Sequence, residues 1–131
     1  MTSTAAAAIA RVSVVDDDES IREALPDLLR EFGFSSQTFS SAEEFLQSGQ
    51  IDQADCLILD INMPGMSGPE LERELRRHGY GTPVVFITAH ADTAARGDVL
   101  EGAAACLVKP FSDTALQDAL KTALGPLLSS A

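Results

Sequence analysis

Four short apolar runs punctuate the chain: Val12-Ser13-Val14-Val15, Cys56-Leu57-Ile58-Leu59, Val84-Val85-Phe86-Ile87 and Ala105-Cys106-Leu107-Val108. Each is mostly apolar at odd and even positions alike. That pattern suits strands buried on both faces of a parallel sheet, so all four are expected at its centre. A fifth, more polar run, Phe34 to Phe39, is expected at an edge.

Between these runs the period changes to that of a helix. Ile21, Leu25, Leu28, Leu29 and Phe32 form one apolar stripe, stopped by Gly33. Pro26 lies inside it, which predicts a kink or a lost backbone bond. Ser41 with Glu44, and Ser67 with Glu70, have capping-box spacing; the second pair leads into Leu71 and Leu75 and a stop near Gly79. Ser112 is expected to cap a last stripe of Leu116, Ala119, Leu120, Ala123 and Leu124, stopped by Gly125-Pro126. Ala91 to Gly102 is the weakest helix, with Gly97 inside it. Strand and helix thus alternate five times, which is the sequence form of a doubly wound α/β fold. Residues 1–9 and 126–131 read as tails around one domain at 10–125, with no repeat and no linker.

Composition narrows the partners. At 131 residues the chain can bury a core without disulfides or a structural metal. Its net charge of −11 repels phosphate backbones and anionic lipid, so no direct nucleic-acid or membrane contact is expected. No apolar stretch approaches the ~18 residues of a membrane span, and no basic residue precedes the alanines at the start. Cys56 and Cys106 form no C-x-x-C pair, and both are expected as buried free thiols. The expected setting is the cytoplasm.

The chemistry gathers where the central strands end. The first ends in Asp16-Asp17-Asp18, the next in Asp60, the next in Thr88 and the last in Lys109-Pro110. In open α/β sheets, ligands bind beyond the carboxyl ends of the strands. Carboxylates crowded there repel unless a proton or a cation joins them. Oxygen ligands with open positions suit Mg²⁺, which shares its shell with phosphoryl oxygens. A carboxylate can itself attack phosphorus, and an ammonium and a hydroxyl can steady the equatorial oxygens. His78 and His90 have no i, i+4 partner and are not expected to bind metal.

These segments resemble the receiver domain of two-component response regulators, a chemotaxis-regulator-like unit, and look closest to the nitrogen-fixation type subgroup. The matching text is Val14 to Glu19, Ser41-Ala42-Glu43-Glu44-Phe45-Leu46, Leu59 to Gly68, Phe86 to His90 and Lys109-Pro110-Phe111. The resemblance implies a (βα)5 flavodoxin-like three-layer sandwich with parallel strand order 2-1-3-4-5. It implies that Asp60 accepts a phosphoryl group from a phosphohistidine on a sensor histidine kinase or a histidine phosphotransfer protein. Asp17, Asp60 and the main-chain carbonyl of Asn62 would bind Mg²⁺, with Asp16 acting partly through water. Thr88 would hydrogen-bond the phosphoryl group and Lys109 would pair with it. Small Ala89 leaves room for the donor, while Asn62 and His90 occupy positions that tune hydrolysis. Asp18 is the surplus acid, expected to cap the next helix. The Lys109-Pro110 bond is often cis in this family. The chain would signal rather than turn over external substrate, through a shifted distal face that meets a downstream protein or a second copy.

Two positions depart from the family pattern. Cys106 stands where an aromatic switch residue is usual, and a thiol cannot swing a large ring. Lys109 follows Thr88 by 21 positions, about one fewer than in close relatives, which points to a shortened helix near Gly97. Two other readings compete. Asp16-Asp17-Asp18 fits the D-x-D motif of haloacid-dehalogenase-type phosphatases, but that leaves Asp60 to Gly68 unexplained. A non-phosphorylated interaction module on the same fold would have no use for the acid, Thr and Lys set.

Overall fold

The computed structural model describes residues 9–94 and 102–129. In chain order its elements are β1 (Arg11–Val15), α1 (Glu19–Glu31), β2 (Ser35–Phe39), α2 (Ala42–Gln47), a 3-10 turn (Ile51–Gln53) and β3 (Cys56–Asp60). There follow α3 (Gly68–Arg77), β4 (Val84–Thr88), α4 (Ala91–Ala94), β5 (Ala105–Val108) and α5 (Asp113–Ser129). The strands form one sheet in the order β2-β1-β3-β4-β5, and every pairing is parallel. This is the doubly wound α/β fold expected from the alternation of runs, in the flavodoxin-like strand order that the resemblance implies.

Side chains alternate across a strand, so each central strand feeds two cores. On one face, Val12, Val14, Ile58, Val85 and Ile87 pack against Leu25 and Leu29 of α1 and Leu116 and Leu120 of α5. On the other, Leu57, Leu59 and Phe86 meet Phe45 of α2 and Leu71 and Leu75 of α3. Every residue of β3 and β4 is buried, as their unbroken apolar runs require. In β2 the exposure alternates, in keeping with its place at one edge.

Several local expectations need correction. The Ala105–Val108 run is not central: β5 is the other edge, its first three residues are half-buried, and Val108 is exposed. Cys106 is consequently only half-buried, while Cys56 is buried; both are free thiols. Gly125-Pro126 does not stop α5, which runs to Ser129 through residues expected as a tail. Gly125 has no Cβ to collide with the proline ring, so helical backbone can continue. Pro26 sits inside an unbroken α1. Lacking an N–H, it deprives the Arg22 carbonyl of its i+4 donor.

Of the two capping boxes, the one at α3 is complete. At α2, Ser41 accepts from the Glu44 N–H at 3.0 Å, but the Glu44 carboxylate reaches one residue further back. It accepts from the Ser40 N–H at 2.6 Å and the Ser40 hydroxyl at 3.0 Å. Ser112 caps α5 as expected, accepting from the Ala115 N–H. Residues 1–8 and 95–101, which include most of the expected N-terminal tail and Gly97, lie outside the described residues.

Candidate functional site

Strand register carries the site residues to one rim. Val15 is level with Leu59, Asp60 with Ile87 and Thr88 with Val108. One step further along each strand come Asp16, Thr88 and Lys109, beside Asp60. Asp16 is fully buried and Asp60 is 5% exposed. Asp17 is exposed, yet one carboxylate oxygen from each of Asp16, Asp17 and Asp60 lies within 4.8 Å of the others. Lys109 Nζ lies 2.9 Å from Asp16 Oδ2, 3.7 Å from Asp60 Oδ2 and 4.0 Å from Asp18 Oδ2.

This crowding has electrostatic consequences. Burial, a hydrogen bond with Asp16 and the Asp16 charge push the Asp60 carboxyl up to about 7, against the pull of Lys109 and the Asn62 N–H. Burial works against the Lys109 ammonium, but Asp16, Asp60 and Asp18 outweigh it and raise its value. Asp60 thus gains from anything positive placed at the rim. The residues fit a hard divalent cation. All three offer carboxylate oxygens, and Asp16 Oδ2 is buried without a hydrogen-bond donor, since the 2.9 Å approach of Lys109 is an ion pair poorly aligned for hydrogen bonding.

The supporting contacts follow from local structure. Asp18 is the N-cap of α1: its Oδ1 accepts from the Ser20 N–H at 2.9 Å. Asp16 Oδ1 accepts from the Asp18 N–H at 2.8 Å. The Asn62 N–H donates to Asp60 Oδ1 at 3.2 Å, and its side-chain amide donates to Thr88 Oγ1 at 3.3 Å. The His90 N–H also donates to Thr88 Oγ1, at 3.1 Å. With two donors on its oxygen, the buried Thr88 hydroxyl keeps its proton for another acceptor. Ala89 and the His90 side chain are exposed at the rim. The Lys109-Pro110 peptide is cis. Cys106 is not at the rim; it packs beside the second core, three residues before the lysine.

Two residues with a part in this geometry had no role assigned from sequence. A Cβ on Gly68 would stand 2.4 Å from the Asp60 carbonyl oxygen, so only glycine lets the start of α3 come this close behind the site. Arg22 Nη1 donates to the Asp16 carbonyl at 2.9 Å. Its one sequence signal is a basic residue in the helix that follows an acidic run. Beside the rim, Ile21, Leu25, Leu28, Ala89, Pro110 and Phe111 line an open, largely apolar hollow.

Comparison with known proteins agrees with this geometry. The family described as "Response regulator receiver domain" matches residues 12–121. Nodulation protein W of Bradyrhizobium diazoefficiens is 41% identical over 92% of this chain and 53% of its own length. The transcriptional regulatory protein FixJ of Azorhizobium caulinodans is 38% identical, over 87% of this chain and 54% of its own. These relatives place the chain near the nitrogen-fixation type subgroup. The chain spans about half the length of the curated relatives it matches. Among solved structures, the response regulator protein TrrA of Thermotoga maritima, in complex with Mg²⁺-BeF, superposes with a TM-score of 0.79. It is 33% identical, over 88% of this chain and all of its own.

Proposed function

This chain belongs to the response regulator receiver domain family, and from that premise we propose that Asp60 is its phosphoacceptor, with Thr88 and Lys109 as its catalytic partners. The observation that carries the reading is the convergence of Asp16, Asp17, Asp60 and Lys109 within a few ångströms at the strand ends. The phosphatase reading leaves Asp60 idle, yet here it is buried and faces the lysine.

An Asp60 carboxylate oxygen attacks the phosphorus of a phosphohistidine. The P–N bond breaks, its electron pair returns to the donor imidazole, and an acyl phosphate forms on Asp60. Asp17, Asp60 and the Asn62 carbonyl would hold Mg²⁺, with Asp16 acting partly through water, and the ion would supply positive charge to neutralise the phosphoryl oxygens. Lys109 pairs with one of those oxygens. Thr88 donates its free proton to another, which draws on a hydroxyl already held by Asn62 and His90. Asn62 and His90 would tune the later hydrolysis of the acyl phosphate. Ala89, exposed and small, leaves the mouth open to the donor.

The partner is a sensor histidine kinase or a histidine phosphotransfer protein. The chain catalyses its own phosphorylation and dephosphorylation without external turnover. Its output is a changed distal face that meets a downstream protein or a second copy, with no direct nucleic-acid contact. Among the described residues no helix is long and apolar enough to cross a membrane. From its family we place the domain in the cytoplasm. With Cys106 in place of an aromatic, the face changes without a ring as its lever.

The test is incubation with acetyl phosphate and Mg²⁺, followed by intact mass spectrometry. The wild type gains one phosphoryl group, and Asp60→Asn gains none. A gain that survives Asp60→Asn assigns the acceptor elsewhere.

A further inference from the structure

The path from Asp16 to Asp17 is the least supported part of the acidic cluster. Among the described residues no hydrogen bond reaches the Asp17 side chain, which is exposed. Its position therefore depends on its backbone. That backbone is fixed on two sides. The Asp16 N–H donates to the Phe39 carbonyl of β2 at 3.0 Å. The Asp16 carbonyl, which shares a peptide plane with the Asp17 N–H, accepts from Arg22 Nη1 at 2.9 Å.

Arg22 is half-buried on α1 and does not act on the carbonyl alone. The Glu44 carboxyl is held below its ordinary range by the Ser40 N–H and hydroxyl first, and then by the Arg22 charge. Beyond its bond to the β1–α1 loop, the guanidinium charge thus also reaches the start of α2.

We propose that Arg22 is a positioning residue for the divalent ion, holding the Asp16–Asp17 peptide so that both carboxylates converge with Asp60. This rests on the reading of the cluster as a Mg²⁺ site. The sign of the effect separates positioning from mere charge. A cation beside a cation site opposes binding, so losing its charge alone tightens the ion. Losing a second-layer hydrogen bond that orients ligands weakens it, typically ten- to a hundred-fold in known metal sites. Mg²⁺ demands near-ideal octahedral geometry, whereas Ca²⁺ tolerates irregular shells, so misplaced ligands penalise Mg²⁺ more.

The experiment is calorimetric titration of the intact chain with Mg²⁺ and with Ca²⁺, for wild type, Arg22→Ala, Arg22→Lys and Asp17→Asn, with metal-free melts alongside. Arg22→Ala is expected to lose about tenfold in Mg²⁺ affinity and less in Ca²⁺ affinity, with a small shift in metal-free Tm. Arg22→Lys, which can still donate to the carbonyl, recovers much of that loss. Unchanged or tighter Mg²⁺ binding in Arg22→Ala overturns the inference. So does an equal loss for both ions together with a large drop in metal-free Tm, which marks general loosening. If Asp17→Asn keeps wild-type Mg²⁺ affinity, the metal-site reading fails first and takes this one with it. If Asp17→Asn loses the ion while Arg22→Ala does not, only the role of Arg22 falls.

Discussion

At Asp60 a buried carboxyl sits beside a second one, and the raised value that results is a statement about stability. The folded state binds the Asp60 proton more tightly than the unfolded chain does. Stability therefore falls as pH rises from the ordinary carboxylate range towards about 7, and levels off above it. In metal-free buffer, Asp60→Asn is expected to match wild type near pH 4 and to exceed it at pH 8 by on the order of 1–2 kcal/mol. Thermal melts of both proteins in a chelator at the two pH values check this; an Asp60→Asn advantage that does not grow with pH refutes it. The convergence of the candidate site was legible at this scale because Asp16, Asp17, Asp60, Thr88 and Lys109 each stand at the end of an apolar run. Arg22 was not, because its function lies in one hydrogen bond to a main-chain carbonyl, and nothing in residue type marks such a bond. The Ser40–Glu44 contact was hidden for the same reason: Ser40 and Ser41 offer equivalent groups, and only the turn geometry chooses between them.

Among the described elements, α3 has a placement that depends on a single missing side chain. Its first residue, Gly68, lies against the backbone that follows Asp60, and the Gly68 N–H donates to the Ile61 carbonyl at 3.2 Å. Gly68→Ala forces that end of the helix away from β3. The expected cost is about 2–3 kcal/mol, with slower phosphoryl uptake as Asp60 shifts. Denaturant unfolding and an acetyl phosphate time course measure the two effects; a variant equal to wild type in both shows that the close approach is dispensable. The strands were readable from their apolar runs, but their rank in the sheet was less so. Ala105–Val108 has the composition of a central strand, yet lies at the edge, because a four-residue run cannot report whether a neighbour pairs on its far side. The length of α5 was hard to read because Gly and Pro are each helix breakers on average, whereas a glycine before the proline relieves the clash that otherwise turns the preceding residue away from helical backbone.

For the whole molecule, the net charge of −11 and the acidic rim act in the same sense. A ligand that binds only the folded state stabilises it by mass action, by about 1.4 kcal/mol at ten times its dissociation constant. Mg²⁺ is expected to raise Tm beyond what NaCl of equal ionic strength achieves, and that excess disappears in Asp17→Asn. Differential scanning calorimetry decides it, and equal shifts with both salts rule out a specific ion. The two core layers were legible from alternation, because a parallel sheet must return the chain through a helix each time, whereas the strand order followed from the receiver-domain resemblance. The lysine that balances the carboxylates comes one residue after β5, the edge strand that follows all the others in the chain. A chain cut short before Lys109 would carry Asp16, Asp17 and Asp60 without the ammonium that faces them. The charge balance of the rim is therefore completed only by the segment that follows β5, the last of the strand ends to reach it.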